Sequence, residues 1–128
     1  MKRQFRLRRS AHFQRVRSSG NHYDGSSLTL NVAAARQRTT RCGIVVARRI
    51  GGAVVRNHIK RRIREVLRIH YLFLRSNFDI VFIARSRDLQ TMPFPRLIEL
   101  ITQLLKRAGV WQIPENTPPL DSESRTKL

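Results

Sequence analysis

Asn57, Lys60, Arg61, Arg64 and Arg68 fall at offsets of 0, 3, 4, 7 and 11, the spacing that sets side chains on one face of an α-helix. Arg56 and Arg62 flank this stripe, and Glu65 is the one acid within it. Solvated helix faces ordinarily mix charge signs. Like charges four residues apart, here Lys60 with Arg64 and Arg64 with Arg68, each cost roughly a few tenths of a kcal/mol. A stripe kept at that cost is better explained by a phosphate-bearing partner than by helix stability. Arg48-Arg49 and Gly51-Gly52 come just before it. Glycine lets a backbone approach a ligand closely, and a helix start offers unpaired N–H groups to an oxyanion. The lysine and spacing of a nucleotide phosphate loop are missing, so the glycine pair reads as a tight turn or as a seat for a phosphate of an RNA backbone.

Other chemistry finds less support. Metal-assisted nucleases need clustered carboxylates, whereas the 8 acids of this chain are scattered, with Asp79 and Asp88 the nearest pair of interest. His12, His22, His58 and His70 could serve acid–base cleavage of RNA, but no spacing brings two of them together. His70 falls on the apolar side of its helix and reads as a core-edge residue. The single cysteine, Cys42, excludes an intrachain disulfide and a cysteine metal cluster. It stands beside Arg41 at a strand start and reads as a buried thiol. Phe5, Phe13 and Tyr23 have faces on which unpaired bases can stack, and Phe13 reads equally well as core.

The chain has 128 residues, 26 Lys or Arg against 8 Asp or Glu, and a formal charge of +18. That length suits one domain with one core, and so large a charge opposes compaction unless a polyanion screens it. Residues 1 to 64 hold 17 basic residues and one acid, residues 65 to 128 hold 9 and 7, so the basic surface belongs to the first half. The basic start, Met1 to Arg9, is not followed by an apolar run of about 7–15 residues, and no stretch approaches the ~18 apolar residues of a membrane span. With one cysteine, this composition reads as a cytoplasmic protein that engages no membrane.

The elements that must hold these residues follow from periodicity. Ser10 can cap a short helix through about Arg17, with Phe13 and Val16 on one face, and Ser18-Ser19-Gly20-Asn21 ends it. Leu28, Leu30 and Val32 alternate with Thr29, Asn31 and Ala33, the period of a half-buried strand. The polar stretch Arg36 to Arg41 reads as a hairpin turn into a second, antiparallel strand, Gly43 to Ala47. A helix is expected from about Ala53 to Leu74, with Val55, Ile59, Ile63, Val66, His70 and Phe73 on its apolar face and Asn77 closing the segment. Phe78 to Ala84 is apolar on both faces, as in a central strand, and should lie parallel to the strand at residue 43. Pro93-Phe94-Pro95 opens a last helix that carries Leu97, Ile98, Ile101, Leu104 and Leu105 inward and stops at Gly109. The expectation is a single α+β domain over residues 1–113, sandwich-like and in the order α-β-β-α-β-α, with a basic arm at residues 1–9 and a disordered tail at 114–128. Residues 43–84 form a β-α-β crossover, right-handed by general tendency.

The run from Ala47 through Arg48-Arg49-Ile50-Gly51-Gly52 and Arg56-Asn57-His58-Ile59-Lys60-Arg61 to Glu65 closely resembles the signature of the bacterial ribonuclease P protein subunit. The resemblance extends in order from about Phe5 to Gly109. It implies a small basic cofactor of a ribozyme, in which the RNA subunit removes the 5′ leader of precursor tRNA with magnesium ions held mainly by RNA and none held tightly by the protein. It implies that Arg48, Arg49, Arg56, Asn57, His58, Lys60, Arg61, Arg64 and Arg68 face the RNA subunit. Phe13, Arg17, Thr29 and Asn31 would line a cleft for the single-stranded leader, with Arg6, Arg8 and Arg9 as accessory RNA contacts. It implies a left-handed crossover, no catalytic residue in this chain and no obligate protein partner. His58 stands where the family triplet usually ends in arginine, and Arg17 where many members carry a second aromatic. A structural RNA-binding protein, such as a ribosomal component, is the alternative that composition alone would serve.

Overall fold

Along Leu28–Ala34 the side chains of Leu28, Leu30 and Val32 enter one core, while Ala33 enters a second, smaller core on the other side of the sheet. This strand therefore sits inside a sheet covered on both faces. The computed structural model, which describes residues 5–7 and 9–112, orders its elements as α1 (Ser10–Ser19), β1 (Asn21–Asp24), β2 (Leu28–Ala34), β3 (Arg41–Val46), α2 (Ala53–His70), β4 (Phe78–Ala84) and α3 (Phe94–Arg107). Single 3-10 turns lie at Arg48–Ile50, Tyr71–Phe73 and Arg87–Gln90. The residues expected to form the tail, 114–128, and the first part of the basic arm, residues 1–4 and Arg8, lie outside the described residues.

The α+β class is observed, in the order α-β-β-β-α-β-α, with one strand more than the periodicity indicates. The additional strand is β1, whose residues Asn21-His22-Tyr23-Asp24 carry no apolar alternation because it is an exposed sheet edge. It pairs with β2 antiparallel, from Asn21 opposite Val32 to Asp24 opposite Thr29.

The expected hairpin between β2 and β3 does not form. The strand order is β1-β2-β4-β3, so β4 lies between them, antiparallel to β2 and parallel to β3. The apolar character of β4 on both faces accords with this place, and both of its hydrogen-bonding edges are used. The connector from β2 to β3 crosses the start of β4 and is held there by Asn77. Ala35 N–H donates to the Asn77 carbonyl at 2.8 Å, Asn77 N–H to the Arg38 carbonyl at 3.1 Å, and Asn77 Nδ2 to the Gln37 carbonyl at 2.9 Å. Asn77 has φ +71°, a left-handed conformation that asparagine tolerates better than most residues.

Helix boundaries differ in three places. Arg9, not Ser10, precedes the first helical residue, and its carbonyl accepts from His12 N–H at 3.0 Å. α1 runs two residues past Arg17, where Ser19 Oγ donates back to the Arg15 carbonyl at 2.6 Å. Gly20 then ends it, since a Cβ there would stand 2.4 Å from the Val16 carbonyl oxygen and 2.6 Å from that of Val32. α2 stops at His70 rather than Leu74, because Leu74 forms a bridge with Trp111 and Tyr71 Oη donates to the Thr40 carbonyl at 2.6 Å. α3 begins at the expected prolines and ends before Gly109, at φ +75°.

α2 and α3 cover one face of the sheet, burying Ile59, Ile63, Val66, Leu67, Leu97 and Ile101. On the other face α1 packs Val16 and Phe13 against Val81 and Ala33. A second contact fixes α1 there. The fully buried Asp79, on β4, accepts from Arg15 of α1, from Arg41 Nε at 3.0 Å and Nη2 at 2.9 Å, and from Gln37 Nε2 at 2.9 Å. Asp79 is thereby a structural ion-pair centre, not part of an acidic pair for catalysis. Burial pushes its carboxyl up, but the hydrogen bonds and charges of Arg41, Gln37 and Arg15 outweigh this and hold it below the usual aspartate value.

Asp79→Asn leaves Arg15 and Arg41, 42% and 23% exposed, without the buried anion they share, and because solvent screens both guanidinium groups it should cost about 1–3 kcal/mol. A depressed carboxyl contributes stability that is full above the ordinary aspartate pKa, about 3.9, and is lost as pH falls through the folded-state value. Urea melts of the two proteins should therefore differ by a constant amount at neutral pH, and the gap should close only below about pH 4.

Candidate nucleic-acid interface

The basic residues of α2 divide between two surfaces. Asn57, His58, Arg61 and Arg68 are exposed, and Arg68 Nη2 is engaged by Glu65 Oε1 at 2.5 Å. Lys60 and Arg64 are half-buried and turn toward β3 and the N-terminal arm. Arg56 bonds the Gly51 carbonyl through Nε at 3.1 Å, which ties the helix start to the glycine turn. Arg62 leaves the stripe, donating through Nη1 to the Leu89 carbonyl at 2.6 Å and through Nη2 to that of Met92, so its work is structural. Arg48 and Arg49 are exposed in the 3-10 turn after β3, and Arg9 is exposed just before α1.

The arm is held on the free edge of β3. Leu7 N–H donates to the Cys42 carbonyl at 2.9 Å, and the Phe5 ring stacks on Tyr71 with centroids 4.3 Å apart. This brings Arg6 beside Lys60 and Arg64 in a hollow of about 310 Å³ whose other walls include Phe13 and Gly43. Among the described residues no acidic side chain lines it, and Arg6 Nε is buried with no partner there. Burial first, and the Arg6 charge second, push the Arg64 guanidinium pKa below its ordinary value. Cations so placed are ready to receive an anion.

Two further hollows continue along the sheet beside α1. One, of about 290 Å³, shares Phe13, Ile44 and Lys60 with the first and adds Gln14, Val45 and Val46. The other, of about 560 Å³, shares Gln14 and is lined by Arg17, Ser18, His22, Asn31, Ile83 and Arg85. Val45 and Ile83 are register partners on neighbouring strands, so the three hollows form one groove across the sheet. Its ends are cationic and its middle is apolar, a combination that suits a strand carrying phosphates outside and bases inside.

Within the groove, Arg17 and Asn31 fall where the leader cleft is expected, and Phe13 is both packed on the sheet and exposed along one wall. Thr29 lies under the groove instead of lining it. Its hydroxyl donates to Asp24 Oδ1 at 3.2 Å and accepts from Arg85 Nε at 2.7 Å, which orients the Arg85 guanidinium. The sequence reading does not place Arg85, His22, Gln14, Ile83 or Val45 in the cleft. Only the polar end of an apolar strand marks Arg85 there, and the groove depends on which strands are neighbours. Burial, with the charge of Asp79 second, pushes the Cys42 thiol up to about 12, so it is no nucleophile at neutral pH. His70 packs on Trp111, with ring centroids 5.2 Å apart. Among the described residues no three His, Cys, Asp or Glu gather to hold a metal, and no helix is long and apolar enough to cross a membrane.

Fold and groove together define a small basic α+β protein with an extended cationic cleft. The chain belongs to the ribonuclease P protein family, whose model, described as Ribonuclease P, matches residues 1–109. It is 51% identical over 112 residues to the ribonuclease P protein component of Roseiflexus castenholzii, covering 88% of this chain and 92% of that one. It is 45% identical to the counterpart from Chloroflexus aurantiacus, over 91% of this chain and 86% of the relative. The solved ribonuclease P protein of Staphylococcus aureus superposes with a TM-score of 0.74 at 29% identity, over 84% and 98% of the two chains. That of Thermotoga maritima gives 0.73 at 30% identity, over 80% and 96%. A further S. aureus structure is described as a mutant with defective mRNA degradation activity.

Arg64→Gln relieves repulsion by Arg6 without removing a salt bridge. Its melting temperature should equal or exceed that of the parent, while the slope of log affinity for single-stranded RNA against log salt falls in magnitude by about 0.7.

Proposed function

We propose that this chain is the protein subunit of a ribonuclease P ribonucleoprotein that removes the 5′ leader of precursor tRNA, with the cleavage chemistry in the RNA subunit. Three parts of the surface have separate tasks. The exposed side of α2, with Asn57, His58, Arg61 and Arg68, meets the RNA subunit together with Arg48, Arg49 and Arg56. The groove takes the single-stranded leader, with Phe13 stacking on a base and Asn31 on the floor. Arg17 and Arg85 meet phosphates at one end, and Lys60, Arg64 and Arg6 do so at the other. Arg9, exposed just before α1, serves as an accessory RNA contact together with Arg8, which lies outside the described residues. The observation that carries this reading is the continuity of the groove from Arg17 to Arg64, with an apolar floor between cationic ends.

Magnesium belongs to the RNA in this proposal. Among the described residues Asp79 is held by two arginines, Glu65 by Arg68, Glu99 by Arg96 at 3.7 Å and Asp24 by Thr29, and Asp88 stands apart from them. No step is assigned to a metal held by the protein. The cations instead offset repulsion between the phosphates of two RNAs, which lets the complex form at lower magnesium. The subunit works in the cytoplasm and needs no further protein partner.

Cleavage of precursor tRNA, and of an mRNA, by protein alone, RNA subunit alone and the two together tests this reading. Protein alone should cleave neither, and adding it to the RNA should lower the magnesium required. Cleavage by rigorously RNA-free protein would move the chemistry into this chain. Binding to the RNA subunit with no effect on cleavage would favour the structural RNA-binding alternative.

A further inference from the structure

Gly43 interrupts an otherwise apolar strand, between Cys42 and Ile44 of β3. It is in register with Val81 of β4, and among the described glycines only Gly109 has a φ in the left-handed region. The backbone at residue 43 therefore does not require glycine, and a strand interior ordinarily favours a side chain that can pack. What requires glycine is a close approach. A Cβ built there would stand 2.4 Å from Cε1 and 2.6 Å from Cζ of Phe13, and 3.2 Å from Cβ of Leu7. The aromatic ring of α1 thus lies directly on the bare backbone of β3, with the arm residue Leu7 crowding the same point.

We infer that Gly43 is a positioning residue for leader binding, its missing side chain setting the depth and tilt of the Phe13 ring in the groove. This rests on the reading of the groove as the leader site. The contrast with Gly20 shows what kind of constraint it is. A Cβ at Gly20 meets two backbone carbonyl oxygens, which can yield only if α1 and β2 part, so that glycine serves the fold. A Cβ at Gly43 overlaps the far edge of the Phe13 ring, which can swing, and presses at 3.2 Å on Leu7 Cβ. Leu7 fills one side, so the ring can give way only by lifting from the sheet, toward the wall it shares with Lys60 and Ile44. An alanine at 43 accordingly keeps the fold and moves the ring off the position from which it offers its face to a base.

The test is a double-mutant cycle in the reconstituted holoenzyme, with wild type, Gly43→Ala, Phe13→Ala and the double variant. Affinity is measured for precursor tRNA with a leader of several nucleotides and for mature tRNA, alongside melting curves of the four proteins. Gly43→Ala should lower precursor affinity about fivefold or more while leaving mature tRNA affinity unchanged, since base stacking on one aromatic is at stake. In the Phe13→Ala background the same substitution should cost nothing, because the ring through which it acts is gone. A leader-specific loss from Phe13→Ala with none from Gly43→Ala, an equal loss of both RNAs, or an undiminished loss in the double variant would each overturn the inference and leave the groove's function intact. If Phe13→Ala itself shows no preference for leader-bearing RNA, the leader reading of the groove fails, and the inference with it.

Discussion

One buried carboxylate holds together the parts from which the groove is made. Asp79 lies in an apolar strand, where an isolated charge would be expelled or neutralised. It stays because α1, the connector and β3 each send it a donor: Arg15, Gln37 and Arg41. α1 is distant in sequence from the connector and the strand it leads into, so the ion cluster fixes the height of α1 above the sheet and the path of the connector at once. The groove is the space that this height leaves. The same cluster explains how so basic a chain keeps an acid in its core, since the acid is surrounded by charges that the fold would otherwise have to separate.

Electrostatics elsewhere runs against the isolated protein. Arg6, Lys60 and Arg64 converge in one hollow that no acidic side chain among the described residues lines, and Arg6 Nε has no partner there. Such an arrangement is costly alone and favourable when a polyanion enters. The division of α2 extends this. One helix presents Arg61 and Arg68 outward and Lys60 and Arg64 toward the groove, so its two sides offer separate cations to two anionic surfaces. The arm, by docking on the edge of β3, completes the hollow and covers part of an edge that would otherwise be open to pairing.

The sequence by itself determined the elements and the chemistry of their surfaces. The 3.6-residue period of α2 and α3 and the alternation of β2 set which residues are buried, because burial of apolar area is a local requirement of each element. The stripe from Asn57 to Arg68 declared an anionic partner, since like charges do not favour their own helix. The family signature lies on that same stripe. Tertiary structure alone decided how the elements meet. Proximity along the chain suggested that β2 and β3 pair, but the parallel crossover through α2 brings β4 beside β3, and β2 takes the other edge of β4. That insertion places Ile83 next to Val45 and carries Arg85 to the groove, which no spacing could reveal. It also turns Asp79 from a candidate acid into a structural anchor and gives Gly43 its meaning, because a missing side chain has a function only when another residue occupies its place.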